Sequence, residues 1–237
     1  MKQKLDPEKL PAHIGFILDG NRRWAKTRGL SKFLGHKAGL ELGIKKLIKS
    51  VQDYGIKVIS LYCFSTENWN REKDEIDYLF NLVRDHVGEF EKDNPNIVVR
   101  CMGDLSKLPA DLVDELNRVK KLTEKNTGLI VNLALNYGSR HEILSAVNKI
   151  VAERVDSNNK EPVEMDEMRK HLYTADLPDP DMIVRTSGEM RLSNFMMFQA
   201  AYSELYFPLC HWPDFNKKEL EKALFEFQKR NRRFGGN

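Results

Sequence analysis

The chain has few cysteines and no long apolar segment. Its 237 residues include three cysteines, at positions 63, 101 and 210. An odd number of widely separated thiols indicates reduced side chains rather than a disulfide framework or a zinc site. No stretch approaches the roughly 20 consecutive apolar residues of a membrane-spanning helix, and the opening MKQKLDP lacks the apolar core of a signal peptide. We therefore expect a cytoplasmic protein.

A strong charge of one sign and the familiar nucleotide motifs are also missing. The formal net charge is +3, which is too small to indicate nucleic acid as a partner. Neither a GxxxxGK[ST] loop nor a GxGxxG loop after a strand occurs. The six histidines lack zinc-site spacing, and no serine or cysteine nucleophile has an evident base. What the chain does contain is arginine, concentrated in a few polar motifs.

Residues 13–25, HIGFILDGNRRWA, join an apolar strand to a polar turn. The apolar run 14–18 has the length of a buried strand. Asp19 and the turn residues after it precede Arg22 and Arg23, where a helix is expected to begin. An acid beside guanidinium groups and a helix N-terminus suits a metal-bound phosphate. Taken alone, the stretch also fits an ordinary turn with solvated arginines.

Strand-like and helical segments alternate along the chain and predict an α/β fold. The later apolar runs do not alternate with polar residues, which is typical of parallel strands covered on both faces. We expect one domain over residues 1–237, with a mainly parallel sheet of about six strands flanked by helices. Strands are predicted at 14–18, 58–64, 97–102, 129–135, 182–184 and 205–207, and helices at about 35–54, 76–90, 110–125, 143–151, 165–173, 195–202 and from 216 onward.

Polar residues that follow the predicted strands form a mostly cationic set. Ligands of such sheets collect beyond the carboxyl ends of the strands, so these residues are expected to converge. Many cations with few acids indicate an anionic substrate, and guanidinium groups favour phosphate. The set predicts diphosphate binding with Mg²⁺, with Asp19 as a metal ligand and no covalent intermediate. Its members are Asp19, Arg22, Arg23, Lys32, His36, Ser65, Asn68, Arg71, Arg185, Arg191 and Ser193.

Some members have simpler interpretations that the sequence leaves open. His36 can cap a helix rather than contact substrate. Trp24 and Trp69 can be plain core aromatics, although polar motif residues flank both. Glu204, the other acid near a predicted strand edge, can pair with an arginine rather than a metal.

Five segments together resemble one family, the cis-prenyltransferases, which include the bacterial undecaprenyl diphosphate synthases. They are residues 13–25, FSTENWNR at 64–71, RTSGEMRLSNF at 185–195, ELYF at 204–207 and WPDF at 212–215. They occur in the family's order and spacing and span nearly the whole chain. A single DGN would be weak evidence, but the set is very specific.

The resemblance implies a prenyltransferase that condenses isopentenyl diphosphate with an allylic diphosphate such as farnesyl diphosphate, making cis double bonds. The implied enzyme is an Mg²⁺-dependent homodimer that makes undecaprenyl diphosphate as the carrier lipid for the cell wall. It implies a cytoplasmic protein with peripheral contact at the membrane, where the product is delivered, and no nucleic-acid partner.

The resemblance also implies a role for each site residue. Asp19 would bind Mg²⁺ and assist departure of the allylic diphosphate, and Glu204 would be the second metal ligand. Asn68 stands where the family places a residue implicated in proton removal; since an amide is a poor base, we favour positioning. Diphosphate and substrate contacts would come from three groups: Gly20, Asn21, Arg22, Arg23, Trp24, Lys32 and His36 for the allylic diphosphate, Ser65, Thr66, Glu67, Trp69 and Arg71 at the reacting region, and Arg185, Arg191, Leu192 and Ser193 for isopentenyl diphosphate.

The sequence also departs from the family pattern. Lys32 stands in place of the usual Arg and loses the bidentate fork, Ser187 replaces a common Gly, and Met190 replaces a residue that is more often polar. The terminal Arg233-Phe234-Gly235 resembles the family's RxG tail, thought to reach across a dimer interface. A product tunnel could be walled by Leu129, Val131, Leu133 and the 76–90 helix, or these residues could be ordinary core.

Three other functions stay open at this point. A close relative could make a shorter product, since chain length depends on the volume of the tunnel. A non-catalytic partner subunit of the same family would be expected to lose Asp19 and much of the arginine set, which are present here. An unrelated Mg²⁺-dependent phosphohydrolase would cleave a diphosphate without an isoprenoid acceptor.

Overall fold

A six-stranded parallel sheet forms the centre of the fold. The computed structural model describes residues 5–230, apart from the side chains of residues 90 and 91. The strand order is β3-β4-β2-β1-β5-β6, and every neighbouring pair is parallel. This confirms the predicted α/β fold. The strands are β1 His13–Ile17, β2 Val58–Ser65, β3 Val98–Met102, β4 Ile130–Tyr137, β5 Met182–Arg185 and β6 Glu204–Tyr206.

Helices cover the sheet. They are α1 Asn21–Lys26, α2 Lys32–Ala38, α3 Lys45–Asp53, α4 Lys73–Asp93, α5 Ala110–Thr123, α6 Ser139–Ser157, α7 Met165–His171 and α8 Lys217–Lys229. Between residues 5 and 230, none combines the length and apolar character needed to cross a bilayer.

Two helix predictions needed correction. The helix predicted over 195–202 is wrong: a short 3₁₀ turn, Gln199–Tyr202, is the helical part. Ser193, Asn194 and Met196 have positive φ angles, which an α-helix of L-residues does not tolerate. The helix predicted over 35–54 is instead α2 and α3 joined by a π-helical turn, Gly39–Ile44.

Close contact with Trp212 accounts for Gly43 in the π-helical turn, whereas a Cβ on Gly39 would first meet the Asn21 side chain. A Cβ on Gly43 would lie 2.4 Å from the Trp212 indole nitrogen, and that nitrogen donates a hydrogen bond of 2.8 Å to the Gly39 carbonyl. A glycine backbone is therefore required for the turn to approach the indole. The π-bulge leaves Leu40 and Ile44 buried beside the sheet.

Apolar packing on both faces explains the continuous hydrophobic runs of the strands. All five residues of β1 are buried. On one face Phe16 packs against Trp212 and Phe215, within the larger core cluster. On the other face Ile17 belongs to a smaller cluster with Tyr137 and Phe195. Burial on both faces is typical of parallel sheets, and it leaves the carboxyl edge of the sheet to carry polar groups.

Candidate active site

The turn after β1 fixes the main chain of Asp19. Gly20 has φ +103°, and a Cβ there would lie 2.1 Å from the Ser187 hydroxyl, so glycine is required. The Asp19 carbonyl accepts hydrogen bonds from Thr186 Oγ1 at 2.6 Å, from Ser187 Oγ at 3.0 Å and from the backbone N–H of Trp212 at 3.0 Å. Three donors from two other segments therefore hold this residue in place.

The Ser187 side chain extends this anchor to a histidine. His211 Nδ1 lies 2.8 Å from Ser187 Oγ, so a ring N–H can donate to the hydroxyl while the hydroxyl donates to Asp19. Ser187 has φ +73°, a conformation that favours glycine. The backbone conformation thus explains why Gly is common at this position, and the two hydrogen bonds show what serine adds.

The Asp19 carboxylate lies between two arginines. Arg185 Nη2 is 2.9 Å from Oδ2, and Arg23 Nη2 is 2.9 Å from Oδ1. Burial by itself raises the pKa of Asp19, but the hydrogen bonds and charges of Arg185 and Arg23 lower it below its ordinary value. Arg185 also donates to the Arg191 carbonyl at 2.7 Å and to Ser193 Oγ at 2.6 Å. Asp19 is therefore an ionised carboxylate in an arginine-rich setting.

Glu189 links Arg23 to Arg191 and was not predicted as a site residue. Its two carboxylate oxygens lie 2.7 Å from Arg23 Nη1 and 2.6 Å from Arg191 Nη1. The hydrogen bonds from Arg191 and Arg23 lower the pKa of Glu189. Arg23, Arg185 and Arg191 thus belong to one ion-pair chain, Arg191–Glu189–Arg23–Asp19–Arg185.

A second cationic group surrounds Glu75, in the first turn of α4. Glu75 Oε1 lies 3.0 Å from both His36 Nε2 and Arg71 Nη1, and Oε2 lies 3.6 Å from Lys32 Nζ and 3.8 Å from Arg22 Nη1. Sequence reasoning missed this acid, because it lies among the acids that normally begin a helix. Its position four residues after Arg71 was the available signal.

A cavity of about 630 Å³ connects a polar and an apolar region. The apolar part lies between the π-helical turn, β2 and α4. The tunnel prediction for α4 agrees with this lining, whereas Leu129, Val131 and Leu133 are core residues outside it. Its polar lining includes Asp19, Asn21, His36, Ser65, Glu67, Asn68, Arg71, Arg140, Arg185, Ser193 and Asn194, and its apolar lining Leu40, Ile44, Cys63, Leu79, Leu82 and Val83.

Cys63 and Arg140 line the cavity although they lie outside the five motif segments. The pairing of β2 with β4 is irregular between Tyr62 and Phe64, which makes Cys63 the extra residue of a β-bulge. Bulges redirect side chains next to functional sites. Arg140 reaches the cavity from the first turn of α6, and its segment carried no motif by which the sequence could have pointed to it.

The segment between β2 and α4 contributes polar side chains that are already hydrogen-bonded within the protein. Asn68 Oδ1 accepts the Ser65 N–H at 3.1 Å, and Glu67 Oε1 accepts Asn194 Nδ2 at 2.9 Å. The Thr66 hydroxyl is buried without a partner among the described residues and does not line the cavity. The bond between Glu67 and Asn194 connects the segment to the loop after β5, which carries Ser193.

Several predicted contacts lie outside the cavity lining. Trp24 donates its indole N–H to Asp214 at 2.8 Å, and Trp69 donates its own to Asn136 at 2.8 Å. Leu192 packs beside the smaller core cluster. Trp24 is half-buried and Trp69 is 37% exposed, so neither is a fully buried core aromatic.

Glu204 is not brought to Asp19 within one chain. It pairs with Arg230 Nη1 at 2.7 Å, the alternative that the sequence left open. In the sheet, Glu204 of β6 lies beside Met182 of β5, which lies beside Ile14 of β1. Asp19 lies five residues further along, more than roughly 10 Å away at strand spacing. A metal shared by both carboxylates would need a second copy of the chain. The RxG tail lies outside the described residues.

Asp19 alone suits a metal held mainly by its substrate. In the described part of the chain, no three His, Cys, Asp or Glu side chains form a group that could hold an ion. Mg²⁺ is commonly bound by one or two carboxylates together with phosphate oxygens and water. The Asp19 carboxylate at the cavity fits that donor set once a diphosphate lies beside it.

Comparisons with known proteins agree with this geometry. The family model described as "Putative undecaprenyl diphosphate synthase" matches residues 17–235. The isoprenyl transferase of Clostridium tetani is 46% identical over 99% of this chain and 93% of its own length, and that of Streptococcus mutans is 46% identical over 99% and 97%.

Two solved structures share the fold over nearly their full length. Lavandulyl diphosphate synthase from Lavandula x intermedia, in complex with dimethylallyl diphosphate, has a TM-score of 0.92 and 34% identity, covering 96% of this chain and 99% of that one. A probable undecaprenyl diphosphate synthase from Campylobacter jejuni has a TM-score of 0.77 and 33% identity, covering 98% and 99%. The chain therefore belongs to the undecaprenyl diphosphate synthase family of cis-prenyltransferases and is a prenyl-transferring cis-isoprenyl diphosphate synthase.

Proposed function

We propose that this protein condenses isopentenyl diphosphate with farnesyl diphosphate, in the presence of Mg²⁺, to make undecaprenyl diphosphate, the carrier lipid for the cell wall. The observation that carries the proposal is that one cavity joins a cationic region to an apolar one. A growing prenyl diphosphate has the same two parts. Burial of its chain beside α4 is favourable by about 25 cal/mol per Å² of apolar surface.

Cationic side chains drawn from both ion-pair groups support two diphosphate positions. Arg22, Arg23 and His36 would hold the allylic diphosphate, while Arg185, Arg191 and Ser193 would hold isopentenyl diphosphate. Arg185 already holds Ser193 Oγ and the Arg191 carbonyl, so these groups are ordered before substrate arrives. Preordered donors stabilise charge that develops on the departing diphosphate without reorganisation during the reaction.

Asp19 is the proposed Mg²⁺ ligand. Bound Mg²⁺ would neutralise charge on the leaving diphosphate oxygens. To hold a metal, Asp19 would release Arg23 and Arg185, and the two guanidinium groups would then be available to bind phosphate oxygens. The low pKa of Asp19 keeps the carboxylate free of a proton at neutral pH, ready for this exchange.

Asn68 would position the substrate rather than remove a proton. Its Oδ1 is occupied by the Ser65 N–H, so the amide presents its Nδ2 donor. A donor can hold a diphosphate oxygen, whereas proton removal would require a basic acceptor. The remaining predicted substrate contacts, including Lys32, Trp24 and Trp69, are part of the same proposal.

The homodimer is proposed with α6 at its interface. Leu144, Val147, Val151 and Val155 lie three or four residues apart on α6 and are 43–74% exposed. One apolar helix stripe can pair with its own copy around a twofold axis and bury both. We further propose that the protein is cytoplasmic and meets the membrane peripherally when it delivers its product.

A shorter product is the second candidate. The chain matches lavandulyl diphosphate synthase at a TM-score of 0.92, so the shared fold by itself does not set product length. The length limit would then come from the residues that close the apolar part of the cavity.

The test is incubation of purified protein with Mg²⁺, farnesyl diphosphate and labelled isopentenyl diphosphate, with products separated by chain length. Asp19→Ala is the parallel control. A ladder that ends near eleven isoprene units and is absent in the control is the expected result. A shorter end point would replace the product assignment and keep the chemistry. Absence of incorporation by folded wild-type protein would overturn the proposal, and release of phosphate without elongation would indicate a phosphohydrolase.

A further inference from the structure

The cationic group around Glu75 contains a buried acid that the proposed reaction does not use. The Glu75 side chain is 2% exposed and does not line the cavity. His36 and Arg71, which do line it, each contact Glu75 Oε1 at 3.0 Å. Any effect of Glu75 on a ligand in the cavity must therefore pass through those two side chains.

The partners of Glu75 come from three separate segments. Arg22 belongs to α1, Lys32 to α2 along with His36, and Arg71 to the turn before α4. One carboxylate thus joins the cations of three segments at a single point. Without it, Lys32 would keep Glu72 and Asp74 as partners, but Arg22 and Arg71 would lose the acid that they share, and the repulsion between the two guanidinium groups would favour outward rotamers.

We propose that Glu75 is a positioning residue, which orients His36 and Arg71 toward the allylic diphosphate in the cavity. The proposal rests on the proposed function and assigns to that site a residue outside its predicted substrate and metal contacts. Glu75 does not touch the substrate: it holds the two side chains that do.

The hydrogen bond with His36 shows how the orientation is set. Burial lowers the pKa of His36, so the ring is neutral at neutral pH and donates its Nε2–H to the carboxylate. This fixes one tautomer and one ring plane. On Glu75, burial raises the pKa, but the hydrogen bond from His36 and the charges of Arg71 and Arg22 lower it overall. The acid therefore stays ionised and keeps its partners aligned.

The test separates orientation from net charge. Glu75→Gln removes one negative charge at almost unchanged volume, and Glu75→Asp keeps the charge but shortens its reach. The matched control is Asp74→Asn, which removes one negative charge from the same turn of α4. Asp74 is 61% exposed and lies 3.5 Å from Lys32 Nζ, and it contacts neither His36 nor Arg71 in the ion pairs described above. Elongation kinetics, melting temperature and calorimetric binding of inorganic diphosphate are measured for each variant.

Both Glu75 variants are expected to lose about 10²-fold in kcat, as small misplacements of positioned groups do. Because Glu75→Gln leaves the site more positive, its affinity for inorganic diphosphate should equal or exceed that of wild type. Asp74→Asn should keep kcat within about threefold, since an exposed charge contributes little.

A kcat for Glu75→Gln no lower than that of Asp74→Asn would overturn the proposal. Parallel losses of kcat, diphosphate affinity and melting temperature in both Glu75 variants would also overturn it, because they would indicate a purely structural residue. If wild type does not elongate at all, the proposed function fails. The binding comparison still tests Glu75 in that case, because Glu75→Asp keeps the charge: weakened diphosphate affinity of this variant at unchanged melting temperature supports the positioning role, and unchanged affinity contradicts it.

Discussion

Replacement of Asp19 by asparagine tests the ion-pair chain at the centre of the site. The Asp19→Asn variant keeps shape but loses the charge that two arginines share. Arg23 is 44% exposed, so its pair contributes only about 0.2–1 kcal/mol. Arg185 is 6% exposed, and a hydrogen bond to a charged group contributes about 1.5–3 kcal/mol. Arg185 keeps two other acceptors, Arg191 O and Ser193 Oγ, which places the total near the lower end, about 2 kcal/mol.

That loss converts to a measurable shift. For a chain of this size, each kcal/mol shifts the melting temperature by about 2–4 °C, so the ligand-free variant should melt about 4–8 °C below wild type at pH 7. The pKa of Asp19 is lowered in the folded state. Its stabilisation is therefore complete above the ordinary aspartate pKa and is lost as pH falls through the lower folded value. The two melting curves should converge there.

We expect the elongation rate of the Asp19→Asn variant to fall by a larger free-energy equivalent than its stability does. Loss of one group that stabilises charge in the transition state typically costs about 10²–10³ in rate, and the Asn side chain is also a poorer Mg²⁺ ligand. The assay combines calorimetric melting from pH 7 to pH 2 with labelled elongation. Equal melting temperatures at pH 7, or a difference that persists unchanged at the lowest pH, would refute the ion-pair argument. Retained elongation would refute the proposed role of Asp19.

Three further outcomes follow from named contacts. Cys63→Phe should shorten the product without changing affinity for the allylic substrate, because Cys63 lines the apolar part of the cavity; Cys63→Ser is the control, and an unchanged product ladder contradicts the tunnel assignment. Val151→Asp should shift the protein from dimer to monomer in sedimentation, with Lys149→Asp as the control; a dimer that persists removes α6 from the interface. Ser187→Gly relieves the strain of a positive φ angle but loses hydrogen bonds to Asp19 and His211. Because strain relief of about 1 kcal/mol and a lost bond of similar size offset each other, the free energy of unfolding should stay within about 1 kcal/mol of wild type while elongation falls. Unchanged elongation would contradict the anchoring of Asp19 by Ser187.

The strands were predictable because the apolar character of their own consecutive residues indicates burial, without any knowledge of the partners that cover them. Apolar runs such as 58–64 and 129–135 indicate coverage on both faces, and the structure has β2 and β4 there. The carboxyl-edge rule then placed Asp19 and the segment after β5 together without any tertiary information. Conformations that depend on partners were not predictable. Residues 195–202 have helical composition, but positive φ angles at Asn194 and Met196 prevent a helix.

The site shows the same division between local and nonlocal information. Clustered arginines indicated an anion, and several of them line the cavity or pair with Asp19. Glu75 and Glu189 were missed because an isolated acid in a sequence does not reveal which cations surround it. Glu204 was placed by its motif, but its register on β6 puts it at the other end of the sheet. Such positions depend on topology rather than on local pattern.

The acids of this site have different partners and therefore different roles. Asp19 and Glu189 hold Arg23, Arg185 and Arg191 through contacts of 2.6–2.9 Å. Asp19 and Arg185 line the cavity, and Glu189 and Arg191 are joined to them through Arg23, so diphosphate oxygens in the cavity can replace the carboxylates of this chain. Glu75 is buried behind His36 and Arg71, so a ligand in the cavity cannot replace it. Substrate binding should therefore rearrange the first group of ion pairs and preserve the second. We therefore expect one half of the cationic site to exchange partners during turnover and the other half to keep the geometry in which that exchange occurs.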